Sequence, residues 1–229
     1  MDIHGIQKMT LLDYPGKVAA TIFLGGCDFR CPYCHNFELV EAPGDPVMKE
    51  EKLFDFLEKR KGVLDGIVVT GGEPCLRKDL KEFLGRIKDM GYSVKLDTNG
   101  NHPQALEDII CSGIVDYVAM DVKNSLSRYG ETIGIQGFDT SNVEGSISLL
   151  LKGKTQYEFR TTAVKEFHTR EDFEKIGKLI AGANAYYLQQ FVQRDTVPDA
   201  GLTSPSKEDM EQFLETVRRY VPNAQIRGV

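Results

Sequence analysis

The sequence predicts an α/β fold built on a parallel sheet. Six short runs rich in β-branched and apolar residues alternate with six longer stretches whose apolar residues recur at helical spacing. Residues able to do chemistry fall repeatedly at the carboxyl ends of the β-type runs, where parallel α/β folds collect ligands. A length of 229 residues suits one larger α/β domain, 1–229, better than two. A composition of 41% hydrophobic and 27% charged residues is that of an ordinary globular protein and argues against disorder.

Taken in order, the first predicted strand is Val18–Leu24 and the first helix Lys49–Lys61. Strand Gly66–Thr70 follows, a short apolar run with two valines and a threonine. Helix Asp79–Met90 shows the helical logic most clearly. Leu80, Phe83, Leu84 and Ile87 line one face, charges separate them, Asp79 stands at the N-cap position and Gly91 where a C-terminal glycine is expected. Strand Ser93–Asp97, helix Pro103–Ser112 and strand Tyr117–Val122 come next. Gly134–Asn142 reads as a loop. Helix Val143–Leu151, strand Tyr157–Thr162, helix Arg170–Ala181, strand Tyr186–Phe191 and helix Lys207–Tyr220 complete the alternation, and the tail after Val221 reads as a short extension. Right-handed crossovers between parallel strands are satisfied either by a partial barrel or by an open doubly wound sheet.

The formal net charge of -6 gives no support to a general nucleic-acid grip. No apolar run approaches the roughly 18 residues needed to span a bilayer. The opening MDIHGIQKMTLLDYPGK lacks a signal-peptide core, so the chain is expected in the cytoplasm. Five cysteines, three of them crowded together, do not make a disulfide framework and fit a reducing compartment with a metal or redox role. Cys75 and Cys111 stand alone and read as small packing residues.

Cys27, Cys31 and Cys34 admit three readings. On a helix they would share one face, but Gly25, Gly26 and Pro32 disfavour a helix there. Cys31-Pro32-Tyr33-Cys34 alone resembles a glutaredoxin-type thiol pair, with Thr196-Val197-Pro198 as a downstream proline segment. That reading leaves Cys27 unexplained and places the proline too far along the chain. The third reading is a metal site. A closed zinc site usually takes four ligands, and no second Cys-x2-Cys pair follows. Three thiolates suit a 4Fe–4S cluster with one iron left open. His35, adjoining Cys34, reads as a hydrogen-bonded loop histidine.

Other polar residues obey the strand-end placement. Gly71, Gly72 and Glu73 follow the second predicted strand, Asn99 and Gly100 the third, which ends in Asp97. Asp121 and Lys123 end the fourth, Arg160 lies late in the fifth, and Gln189 and Gln190 in the sixth. Asp121 and Lys123, two residues apart on a strand, point to the same side, so a mutual ion pair is the plain alternative to a ligand site.

Together these motifs resemble the radical S-adenosylmethionine enzymes. Cys27 to Cys34 matches the Cys-x3-Cys-x-aromatic-Cys signature, and Gly71-Gly72-Glu73-Pro74 the glycine-rich segment after the second strand. Asp97-Thr98-Asn99-Gly100 and Asp121-Val122-Lys123 match motifs of the glycyl-radical-activating branch. The resemblance runs from about Asp13 to Phe191. Leu12-Asp13-Tyr14-Pro15-Gly16, Phe23 to Cys27, and the Cys-His-Asn ending at Asn36 are similar to the longer type of anaerobic ribonucleoside-triphosphate reductase activating proteins. The chain also resembles pyruvate formate-lyase activating enzymes.

The resemblance implies a partial (β/α)6 TIM-like barrel as one radical S-adenosylmethionine domain, with a core of about 13–191 and a C-terminal helix and tail over 207–229. It implies that Cys27, Cys31 and Cys34 hold a 4Fe–4S cluster whose fourth iron is chelated by S-adenosylmethionine. Tyr33, Gly71, Gly72, Glu73, Pro74, Asp97, Asn99, Asp121, Lys123, Arg160 and Gln190 are the implied cofactor-binding residues. Asp97, Thr98, Met120 and Asp121 are the implied site of a monovalent cation. The implied activity is reductive cleavage of S-adenosylmethionine, followed by hydrogen abstraction from a glycine of a partner. That partner is a glycyl radical enzyme, with anaerobic ribonucleoside-triphosphate reductase expected. A flavodoxin or ferredoxin is expected as electron donor, with no nucleic acid or membrane partner. The sequence departs from the pyruvate branch in one respect. Leu188 to Gln193 lacks the histidine found near the end of the sixth strand there, leaving a neutral glutamine in its place. Alternatives are an enzyme acting on a small molecule, similar to 7-carboxy-7-deazaguanine synthase, and an iron–sulfur electron carrier.

Overall fold

The computed structural model describes residues 1–40 and 43–228. The expected domain 1–229 thus includes three residues outside the description: Glu41, Ala42 and Val229, the end of the expected tail. In chain order the elements are β1 (Asp2–Thr10), β2 (Ala19–Leu24), β3 (Met48–Lys49), α1 (Glu50–Glu58), β4 (Gly66–Gly71), α2 (Leu80–Asp89), β5 (Ser93–Thr98) and α3 (Pro103–Cys111). There follow β6 (Tyr117–Asp121), α4 (Tyr129–Thr132), α5 (Ser141–Leu151), β7 (Gln156–Ala163), α6 (Arg170–Leu179), β8 (Tyr186–Gln190), α7 (Lys207–Arg218) and β9 (Gln225–Arg227).

One nine-stranded sheet runs β3-β1-β2-β4-β5-β6-β7-β8-β9. From β2 to β9 every pairing is parallel, while β1 pairs antiparallel with both β2 and β3. The parallel strands lie side by side in the order in which the chain makes them. A doubly wound sheet reverses its order at a switch point and so carries helices on both faces. Here there is no reversal, and right-handed crossovers place the helices on one face. The partial barrel is therefore the form adopted, with six βα units and β9 added as a further parallel strand.

All six expected strands and six expected helices are present, with ends shifted by a few residues. Leu80, Phe83, Leu84 and Ile87 bury the inner face of α2 as their spacing requires, although Asp79 makes no capping hydrogen bond with its side chain. Helices α6 and α7 start at reciprocal capping boxes, Thr169 with Asp172 and Ser206 with Asp209. The end of the loop expected over Gly134–Asn142 is the first turn of α5. Four elements were not expected: β1, β3, α4 and β9. The tail after Val221 is thus no simple extension, because Gln225–Arg227 pairs with β8.

The main core lies between sheet and helices. A smaller cluster of Tyr14, Ala19 and Val68, with Tyr117 packed against it, floors the concave side. Above that floor the interior turns polar. Glu158 is fully buried and accepts from Tyr117 Oη at 3.0 Å and from Arg227 Nη1 and Nη2 at 2.9 and 3.0 Å. Arg227 also lies over the Tyr187 ring, 3.5 Å from its centroid.

Candidate active site

The carboxyl ends of the strands surround a cavity of about 300 Å³. Cys27, Cys31 and Cys34 all line it, on the loop that leaves β2. That loop is anchored from several sides. Gly26 N donates to Leu39 O at 2.6 Å, Arg30 N to Ile133 O at 2.9 Å, and Cys34 N to Cys31 O at 3.1 Å. Phe29, 1% exposed, packs edge-on against Tyr129 and Phe138. Burial pushes the Cys27 thiol up to about 12 and Cys31 to about 11, and raises Cys34. Thiols placed so give up their protons only to strong local positive charge.

A chain of ion pairs crosses the facing wall. Asp97 on β5, Asp121 on β6 and Arg160 on β7 meet because their strands are neighbours in register, with Asp97 opposite Ala119 and Asp121 opposite Arg160. Arg160 Nη1 donates to Asp97 Oδ2 at 3.1 Å and its Nε to Asp121 Oδ1 at 2.8 Å, while Lys123 Nζ donates to Asp121 Oδ2 at 2.9 Å. Burial opposes the charge on Asp121, but Arg160 and Lys123 hold its carboxyl well below the usual range. Burial likewise opposes the charge on Lys123, and Asp121 more than restores it. The mutual pairing foreseen as the plain alternative for Asp121 and Lys123 is present in this structure.

Other expected residues fall differently. Gly71 and Gly72 line the cavity, but what demands glycine is chain packing. A Cβ on Gly71 would lie 2.2 Å from Leu24 O, and one on Gly72 2.0 Å from Gly26 O. Glu73 and Pro74 are buried beneath the wall and do not line the cavity. Glu73 accepts from Cys75 N at 2.9 Å, Thr98 Oγ1 at 2.8 Å and Asn99 N at 2.6 Å, so it ties β4 to β5 rather than facing a ligand. Thr98 and Asn99 line the cavity, as does Gln189. Gln190 does not; strand alternation turns it away, and its Nε2 donates to Pro205 O at 2.8 Å. The cavity-facing glutamine is therefore Gln189. His35 accords with a loop histidine, with Nε2 2.7 Å from Val192 O and its ring stacked on Phe191. Cys75 is buried as expected, but Cys111 is exposed and is not a packing residue.

One group escaped the sequence reading. Asp28, between the first two cysteines, accepts from Asn99 Nδ2 at 2.8 Å and Asn101 Nδ2 at 2.6 Å, and its Oδ2 lies 3.0 Å from His102 Nε2. Burial works against its charge, yet His102, Asn101 and Asn99 hold the carboxyl down at about 2. The latch joins the cysteine loop to the segment after β5. The polar run Asn99-Gly100-Asn101-His102 was the available signal.

The residues fit a 4Fe–4S cluster and a zwitterionic ligand. Three thiols face one cavity, yet no group of three or more His, Cys, Asp or Glu among the described residues is gathered as for a single metal ion. Tyr33, 4% exposed, lines the cavity with its hydroxyl buried and without a hydrogen-bond partner, an orphan that a bound group would satisfy. The oxygens expected to bind a monovalent cation are a different matter. Thr98 Oγ1 is taken by Glu73 and Gly100 N, and both Asp121 oxygens by Arg160 and Lys123.

The sequence model of the Radical SAM superfamily matches residues 21–180, well over half the chain. A Methanocaldococcus jannaschii protein assigned to the glycyl-radical enzyme activating enzymes is 35% identical over 99% of this chain and 96% of its own length. A 7-carboxy-7-deazaguanine synthase of Koribacter versatilis is 29% identical over 73% of this chain and 70% of its own. The structure of Streptococcus suis SuiB bound to S-adenosylmethionine superposes with a TM-score of 0.71 at 12% identity, covering 91% of this chain and 52% of SuiB, a likeness of fold. The chain belongs to the radical SAM superfamily, among its glycyl-radical enzyme activating enzymes. Membership implies a 4Fe–4S cluster and S-adenosylmethionine as cofactors. No helix among the described residues is long and apolar enough to cross a membrane.

Proposed function

We propose that the whole chain is one radical SAM domain, acting in the cytoplasm to install a glycyl radical on anaerobic ribonucleoside-triphosphate reductase, with electrons from a flavodoxin or ferredoxin. The observation that carries this reading is the placement of three cysteine thiols and the Asp97–Arg160–Asp121–Lys123 ion chain on facing walls of one cavity. When bound, the cluster supplies the electron that cleaves S-adenosylmethionine reductively.

The chain's own residues bind and orient. Cys27, Cys31 and Cys34 would hold the cluster, and the unpartnered Tyr33 hydroxyl would be available to the cofactor. Asp121 and Lys123 form an exchangeable pair. A ligand carrying both an ammonium and a carboxylate can insert between them, the ammonium on Asp121 and the carboxylate on Lys123, so each side chain trades one charge-assisted bond for another. Arg160 stays behind as the fixed support of Asp97 and Asp121. Gln189 offers a neutral hydrogen bond beside them. Relatedness over nearly its full length to an activating enzyme favours a protein glycine as the hydrogen donor.

The test is anaerobic incubation of the reduced, cluster-loaded chain with S-adenosylmethionine and the reductase, read by electron paramagnetic resonance. A glycyl radical signal is the expected result. Cofactor cleavage without that signal would reject this reductase as the partner, leaving another glycyl radical enzyme or the small-molecule reading, for which the partial match to a 7-carboxy-7-deazaguanine synthase speaks. Cys27→Ala, Cys31→Ala and Cys34→Ala should each abolish cleavage; a variant with an intact cluster and full cleavage would refute that ligand. Asp121→Ala should weaken S-adenosylmethionine binding about tenfold or more, the worth of one charge-assisted hydrogen bond, measured by equilibrium binding.

A further inference from the structure

Lys95 is 1% exposed, on the concave side of β5 and two residues before Asp97, hence on the same face. Its Nζ donates to Asp13 O at 2.6 Å, lies 3.1 Å from Asp97 Oδ1 and sits 5.9 Å from the centroid of the Tyr117 ring. Asp13 O accepts the ammonium's hydrogen bond, and the contact with Asp97 is an ion contact. Asp97 Oδ1 is buried and makes no hydrogen bond of its own. A buried ammonium is costly unless paired, and here a carbonyl, a carboxylate and an aromatic face surround it.

The same corner was expected to hold a monovalent cation on Asp97, Thr98, Met120 and Asp121. The Thr98 hydroxyl and both Asp121 oxygens are engaged, and Asp97 Oδ2 is taken by Arg160. Met120 lies within the ladder between β5 and β7. Three side-chain cations, Lys95, Arg160 and Lys123, face two carboxylates, Asp97 and Asp121. A bare alkali ion added to this set meets an excess of positive charge already in place. The residues do not fit it.

We propose that Lys95 is a tethered cation: its ammonium supplies to Asp97, from within the barrel, the positive charge an alkali ion would bring, and S-adenosylmethionine binding is therefore independent of alkali ions. Lys95 acts through Asp97 and is a positioning residue. The proposal rests on the reading of the cavity as an S-adenosylmethionine site.

The test measures equilibrium binding of S-adenosylmethionine to the anaerobic, cluster-loaded full chain. It uses sodium, potassium and tetramethylammonium chloride at equal ionic strength. The wild-type dissociation constant is expected to agree among the three salts within about threefold. Lys95→Met should bind about tenfold more weakly in tetramethylammonium and recover in sodium or potassium, whereas Lys95→Arg should stay salt-indifferent. Wild-type binding that weakens beyond that threefold margin when alkali ions are removed overturns the proposal while leaving the S-adenosylmethionine site intact. So does Lys95→Met binding as tightly as wild type in tetramethylammonium. Failure to bind in every salt removes the underlying reading as well. The wild-type salt series can overturn the proposal even if Lys95→Met does not fold, and Lys95→Arg then tests the role of the side chain.

Discussion

Glu73 takes three donors on two oxygens, two of them backbone N–H groups, at 1% exposure. A glutamine there would point an amide N–H at a donor and leave one partner unsatisfied. Glu73→Gln is expected to cost about 1–3 kcal/mol of stability, read by urea denaturation, with the loss appearing before any ligand is added. Cys75→Ala, by contrast, should leave the cluster's iron content unchanged, since that thiol is buried behind Glu73 and does not line the cavity; loss of iron would contradict this placement. At this scale the sequence was legible where spacing alone sets direction, as with the cysteines and with Asp121 and Lys123. It was not legible where a one-residue step decides which side of a strand is seen. Gln190 and Gln189 are the same residue type in adjacent positions, and only the register of β8 against β7 tells them apart. Asp28 was hidden for another reason: its partners Asn99, Asn101 and His102 lie some seventy positions away.

Among the elements, periodicity found each long helix and the parallel strands β2 and β4 to β8, because burial against the sheet writes itself as a repeat. The missed elements lack that signature. β1 reads DIHGIQKMT, with a glycine, a lysine and mostly exposed or part-exposed positions, and β3 and β9 have only two and three residues. Yet β9 carries Arg227, the bidentate partner of fully buried Glu158. Arg227→Ala strands that carboxylate, and breaking a buried pair from one side costs about 3–5 kcal/mol. The expected outcome is a lowered denaturation midpoint, with Glu158→Gln in the Arg227→Ala background recovering part of the loss. An unchanged midpoint for Arg227→Ala would show that β9 is dispensable.

For the molecule as a whole, pH stability follows from groups spread over several elements. Burial raises the carboxyls of Asp28, Asp121 and Asp172, but their hydrogen bonds and ion pairs bring all three below the usual range. Their contribution is present above the unfolded carboxylate value of about 4 and is lost as pH falls, for Asp28 through about 2. His168 adds to this at higher pH. Burial lowers its pKa, so the unfolded chain binds the proton first and stability begins to fall below about 6.5. Glu73, raised by burial, and His102, raised by Asp28, work in the opposite direction. His168→Gln is expected to flatten the decline between about pH 6.5 and 5.5 relative to wild type, measured as urea midpoints across that range.

The match between strand order and chain order bears on how the molecule is made. A nascent polypeptide emerging at about 5–20 residues per second can lay each parallel strand against the one just finished, with no gap left for a later segment to fill. Glu158 is synthesised long before its guanidinium partner. Until Arg227 docks, an otherwise complete wall encloses Glu158 without its arginine, so intermediates in which β9 has not yet paired should be the ones that proteases and chaperones detect.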